Sequence, residues 1–140
     1  MLMKAPVFTL PYLTGEGSYT LPETPGKVTI LTFWASWCPD SGADMPKKEQ
    51  LFDSLHTDDV EMITINVAGR EGTREDAVKY KEKFLTQPTL EDNGTEVYDL
   101  YGCTGVPTTV IISSEGEIVH QFGDDASFMD IMKAIGETVE

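Results

Sequence analysis

The chain has 140 residues, 40% of them apolar, and 24 acidic side chains stand against 10 basic ones for a formal net charge of −14. That length suits one domain, residues 1–140, with a single core, and the charge argues against nucleic acid or an anionic membrane surface as partner. Two cysteines are too few for a disulfide framework, no apolar run reaches bilayer length, and Met1-Leu2-Met3-Lys4 opens no signal-peptide pattern, so the chain as written reads as a cytoplasmic monomer.

Residues 5–21 read as an N-terminal hairpin. Pro6 and Pro11 flank Val7, Phe8 and Leu10, which suits an edge strand; Gly15-Glu16-Gly17 turns the chain, and Tyr19 and Leu21 return. Val28 to Trp34 is an almost unbroken apolar, β-branched run, the mark of a strand buried on both faces. Met45, Leu51, Phe52 and Leu55 mark a helix from Cys38 to about His56, kinked at Pro46, with Lys47, Lys48 and Glu49 on its wet side. His56 falls near the C-terminus of that helix, which favours its charged form. Val60 to Val67 is a second buried strand, followed by a turn at Gly69–Gly72. Thr73 then caps a helix in a Thr-x-x-Asp box, carried by Ala77, Tyr80 and Phe84 to about Leu85. Pro88–Glu91 is a short strand, Asn93-Gly94 a turn, and Val97, Leu100 and Tyr101 a short helix. Thr108–Ile112 and Glu117–Phe122 pair as a hairpin about Glu115-Gly116. Phe128, Ile131, Met132, Ile135 and Val139 recur at helical spacing behind Asp125 or Ser127 as cap. Strands alternating with helices and closing on a hairpin predict an α/β domain: a central mixed sheet with helices on both faces.

The chemistry concentrates in Phe33–Asp44, FWASWCPDSGAD. Cys38 sits where a buried strand ends and a helix begins. Unpaired backbone N–H groups and the helix dipole stabilise an anion there, so a thiol ionises more readily and becomes a better nucleophile. Trp37 shields one side, and Pro39 suits the first helical turn, where its missing N–H costs nothing. A buried core cysteine is the alternative, and the Trp-Cys-Pro setting weighs against it. His56 and His120 have no metal-ligand spacing with the cysteines, and no cofactor motif is present.

FWASWCP, Pro46 eight residues after the cysteine, and Gly105-Val106-Pro107-Thr108-Thr109 together resemble thioredoxin, and more closely the ResA/TlpA-type thiol-disulfide oxidoreductases. The resemblance runs from Ala5-Pro6-Val7-Phe8 to the final helix. It implies a thioredoxin fold with an N-terminal hairpin, in which the helix near 74–85 is an insertion relative to thioredoxin itself. It also implies attack by Cys38 on a substrate disulfide to form a mixed disulfide. The chain departs from the family's Cys-x-x-Cys: it reads Cys38-Pro39-Asp40-Ser41, so the implied enzyme is monothiol. Ser41 can donate a hydrogen bond to a Cys38 thiolate, or act as a helix-start residue serving backbone N–H groups.

Pro107 matches the family's cis-proline, which would turn the Val106 backbone toward Cys38 for strand-like pairing with a substrate. Trp37, Pro39, Val106 and Pro107 are then the substrate-binding residues. Asp44 matches a glutamate that ResA-type proteins carry as an acid–base candidate; it moves protons if burial raises its pKa, or is a plain surface aspartate. Thr32 stands where thioredoxin has a buried aspartate and cannot serve as a base. Cys103 lies where relatives carry an apolar residue, and is either a small buried hydrophobe or a substitute resolving thiol, the latter requiring Cα atoms within about 7 Å. The implied partner is a thiol- or disulfide-containing protein or a small thiol, and relatives are often anchored outside the cytoplasmic membrane. Two other functions stay open: a binding module that holds cysteine-containing extended chains without turnover, and a thiol peroxidase passing through a sulfenic acid. Against the last, Ala35 stands where peroxiredoxins carry a threonine.

Overall fold

A computed structural model describes residues 3–55 and 58–139. The most apolar stretch of the chain becomes its central strand: all seven residues of β4 (Val28–Trp34) are buried. β1 (Met3–Lys4), β2 (Phe8–Pro11) and β3 (Ser18–Leu21) precede it. β5 (Val60–Asn66) pairs with β4 in parallel, and β6 (Thr89–Glu91) extends that side in parallel. β7 (Thr108–Ile112) pairs with β4 antiparallel, and β8 (Glu117–Phe122) continues outward as its hairpin partner. The resulting mixed sheet has the order β1-β8-β7-β4-β5-β6, and β2 and β3 form a separate two-stranded hairpin. β1 has no counterpart in the sequence reading, because two residues are too short for a period-two signal. Gly116 turns β7 into β8 at φ +89°, and a Cβ there would collide with the Glu23 carbonyl, so glycine is required twice over.

Strand alternation sends side chains to two cores. Leu31, Phe33, Ile63, Ile65, Val110 and Ile112 face the hairpin and α3 (Glu96–Leu100). There Phe33 lies edge-on to Tyr98, with ring centroids 6.3 Å apart. Ile30, Met62 and Ile111 face α4 (Phe128–Val139) and the second half of α1 (Pro39–Ser54). Trp34 packs with Met45 of α1 and Ala77 of α2 (Arg74–Phe84). The expected α/β architecture with helices on both faces is therefore present.

Several local expectations meet the structure directly. The Thr73 hydroxyl accepts the Asp76 N–H at 3.3 Å, which is the expected cap of α2. Of the two candidate caps for α4, it is the Ser127 hydroxyl that accepts the Asp130 N–H, at 3.1 Å. Other expectations are corrected. The turn at 69–72 is a short 3-10 helix, Ala68–Arg70. α1 ends at Ser54, and His56 lies outside the described residues. α4 forms as expected; Ile131, Ala134 and Ile135 are its buried residues, while Met132 and Val139 are exposed. Lys48 is not on the wet side of α1: it is fully buried against the sheet.

That sheet face carries a polar stripe. Thr109, Thr32, Thr64 and Thr89 occupy matching positions on β7, β4, β5 and β6, and all four are buried. Buried hydroxyls need partners. Thr64 takes the Trp34 indole N–H at 3.0 Å and donates to Thr89 at 2.9 Å; Thr32 and Thr109 take Lys48.

Candidate functional site

Cys38 is the N-cap residue of α1, in extended conformation (φ −77°, ψ 121°), with Pro39 opening the helix. β4 delivers the chain to this point through Ala35-Ser36-Trp37. The loop before β7 arrives from the other side, and the Cys38 thiol donates to the Val106 carbonyl with Sγ and O 3.4 Å apart. The Val106–Pro107 bond is cis. Cys38, Val106 and Pro107, 68 residues apart in sequence at the hydrogen bond, thus share one site. Trp37 beside them is 55% exposed. Cys38 itself is only 8% exposed. The thiol turns inward toward the Val106 carbonyl and joins the core that holds Ala35, Val106 and Cys103.

The cysteine loop is clamped by a segment the sequence reading left without a role. Glu71, just after the Ala68–Arg70 turn, accepts the Ser36 N–H and the Ser36 hydroxyl, each at 2.6 Å, and the Asn66 amide at 2.7 Å. The Trp37 indole N–H donates to the Arg70 carbonyl. No local sequence signal marks the bonds of Glu71 to Ser36, which lies on the far side of β5.

Ser41 is buried, and its hydroxyl accepts the Ala35 N–H at 3.5 Å, a donor in the loop before α1 and not one of the helix's own N–H groups. Asp44 is paired: its Oδ2 lies 2.9 Å from Lys48 Nζ. That ammonium also donates to Thr109 at 2.8 Å and to Thr32 at 3.2 Å. Burial pulls the Lys48 pKa down from the ordinary lysine value, while the Asp44 charge and hydrogen bond pull it up. Asp40, Asp44, Lys47, Pro107, Thr109 and Asp124 line a cavity of about 140 Å³ between α1 and the Pro107 loop.

Cys38 and Cys103 are both free thiols. Cys103 is almost fully covered, and burial pushes its thiol up to about 11; the Asp92 and Asp99 charges add to this and a hydrogen bond with Thr108 opposes it. Among the described residues no group of three or more His, Cys, Asp or Glu side chains is placed to hold a metal ion.

A profile of the AhpC/TSA family matches residues 2–121. The chain is 36% identical over 113 residues to the thiol-disulfide oxidoreductase ResA of Halalkalibacterium halodurans, covering 80% of this chain and 62% of that protein. It is 31% identical over 115 residues to the sporulation thiol-disulfide oxidoreductase A of Bacillus subtilis, covering 80% and 67%. The crystal structure of a thiol:disulfide interchange protein of the thioredoxin family from Chlorobium tepidum superimposes with a TM-score of 0.83, covering 100% of this chain and 98% of that one. At 19% identity that likeness concerns the thioredoxin fold alone.

Proposed function

We propose that this chain, which belongs to the AhpC/TSA family, is a thiol-disulfide oxidoreductase of the ResA type that works through the single nucleophile Cys38. The observation that carries the reading is the seat of Cys38: a helix N-cap whose thiol touches the carbonyl of a cis Val106–Pro107 pair. A thiolate there sits at the N-terminus of α1, where unpaired N–H groups and the positive end of the dipole favour an anion. An extended substrate chain laid against Val106 presents its disulfide to Sγ, with Trp37, Pro39 and Pro107 as the surrounding surface. Sγ then bonds to one substrate sulfur, the S–S bond breaks, and the second sulfur leaves as a thiolate.

Release of the product follows from what surrounds the mixed disulfide. Position 41 offers a hydroxyl, which cannot attack sulfur. Cys103 is covered and, with its pKa near 11, almost wholly protonated at neutral pH. An external thiol therefore completes the cycle, attacking the mixed disulfide and regenerating Cys38. The partner is a thiol- or disulfide-containing protein or small thiol. Asp44, held by Lys48, is the next carboxylate of α1 after Asp40.

The test is mass spectrometry after exposure to oxidised glutathione and to a cystine-containing peptide, followed by an external thiol. A mixed disulfide at Cys38, absent in Cys38→Ser and discharged by the external thiol with turnover, is the expected result. A mixed disulfide that forms without turnover overturns the enzymatic reading in favour of a binding module. Consumption of hydrogen peroxide in place of disulfide exchange overturns it in favour of a peroxidase.

A further inference from the structure

We propose that Lys48 is a positioning residue for Cys38: its buried ammonium cancels the Asp44 charge at the wall of the site and fixes Asp44 and Thr109 as that wall. The proposal rests on the exchange reading above for its purpose, though not for its geometry. Lysine is among the residues least often fully buried, and an ammonium withdrawn from water needs strong compensation. Here the side chain is 0% exposed and its three N–H donors meet three acceptors from three elements: Asp44 on α1 at 2.9 Å, Thr32 on β4 at 3.2 Å and Thr109 on β7 at 2.8 Å. The donor count of an ammonium is matched in full.

Two of those acceptors, Asp44 and Thr109, line the cavity beside Pro107. Asp44 follows Cys38, the N-cap, by six residues along α1, which by helical rise is roughly 9 Å. A carboxylate at about that distance disfavours a thiolate by on the order of 0.5–1 pH unit at an effective dielectric constant near 20 with partial salt screening. The setting makes this matter, because the chain as a whole carries −14 and its site is edged by carboxylates. Asp40 and Lys47 of α1 and Asp124 after β8 share the cavity, Glu71 grips Ser36, and Tyr80 on α2 feels the charges of Asp44 and Glu49 after the larger effect of its own burial. Lys48 is the cation bonded to Asp44, and Lys47 points to the same cavity without an ion pair to it among the described residues.

The experiment is the pH profile of Cys38 alkylation by iodoacetamide in the wild type, Lys48→Met, Asp44→Asn and the double variant. No disulfide substrate is present, so the profile is independent of turnover. Lys48→Met leaves an uncancelled carboxylate: its profile moves about 0.5–1 unit to higher pH, and the rate at pH 7 falls roughly 3- to 10-fold. Asp44→Asn removes the carboxylate and with it the group that holds Lys48 protonated, so its profile does not move to higher pH. The double variant, with both charges gone, returns close to the wild type, a sign pattern that a purely structural lysine does not produce. Should Lys48→Met fail to fold, Asp44→Asn and the double variant carry the test, since neither profile moves to higher pH. A Lys48→Met profile that coincides with the wild type, or a double variant displaced furthest, overturns the proposal. Disulfide exchange is assayed in parallel: exchange without the sign pattern removes Lys48 from the site, whereas the sign pattern without exchange removes the oxidoreductase reading and leaves Lys48 in place.

Discussion

The Ser41 hydroxyl accepts the N–H of Ala35 across the strand–helix junction, so its oxygen is committed to backbone at the point where the chain turns into α1. A cysteine at 41 would stand one helical turn from Cys38, on the neighbouring position of the same helix start. Ser41→Cys is therefore expected to create an internal resolving thiol and to raise insulin reduction, with dithiothreitol as electron donor, by about tenfold or more. Sulfur is a poorer acceptor than a hydroxyl, so the same change weakens the Ala35 bond and lowers stability by roughly 0.5–1.5 kcal/mol. No gain in insulin reduction would mean that the second thiol is not what limits this chain. Cys103 is not expected to fill that role. Exposure does not separate the two thiols, at 9% against 8%, but Cys103 is hard to ionise, so limited alkylation at pH 7.5 should label Cys38 and spare Cys103. Air oxidation should give adducts or dimers through Cys38; a monomer lighter by two hydrogens, with a Cys38–Cys103 cross-linked peptide, would refute this.

Among the elements, the stretch between β5 and α2 is the one that shapes the site without contributing to the reaction. Glu71 gathers the Ser36 N–H, the Ser36 hydroxyl and the Asn66 amide on one carboxylate, and Arg70 takes the Trp37 indole, so the two residues before Cys38 are held by the loop that leads to the inserted helix. Hydrogen bonds to a charged acceptor are worth more than neutral ones, and this group is half-buried. Glu71→Ala is expected to lower the unfolding free energy by about 2 kcal/mol and to speed hydrogen exchange at the Ser36 amide. Glu71→Gln should fall between, since one amide oxygen cannot serve three donors. A denaturation midpoint and a Ser36 exchange rate both unchanged in Glu71→Ala would show that the cysteine loop holds its own shape.

Across the whole molecule, what the sequence revealed and what it hid divide by the range of the interaction. β4, β7 and α4 were legible because β-branched runs and a 3.6-residue stripe are local patterns, and the meeting of Cys38 with Pro107 was legible through the two motifs that resemble a known family. Lys48 was not, because hydropathy puts a lysine in water while its partners Thr32 and Thr109 lie 16 and 61 residues away. Glu71 was hidden for the same reason, 35 residues from Ser36. The buried threonine row is visible only once the register of four strands is known. These buried polar groups also set how the molecule responds to alkali. Burial raises the pKa values of Tyr19, Tyr101 and Cys103, whereas it lowers that of Lys48. A group whose folded pKa is raised adds stability that is complete below its unfolded value and is lost as pH climbs through the folded one. For Cys103 that window runs from 9.0 to about 11. Lys48 acts in the opposite sense, its depressed pKa favouring the fold as the ammonium is discharged. Cys103→Val removes the titration of the thiol, together with the lesser effect of its charge on Tyr98 and Tyr101, and leaves Tyr19 and Lys48 in place. Urea unfolding of the two proteins should therefore run parallel below about pH 8.5, after which the wild type loses stability relative to Cys103→Val, most of it by about pH 11. A difference between them that stays flat through that window would mean that Cys103 ionises as easily in the folded protein as in the unfolded chain, and that the core around it admits water.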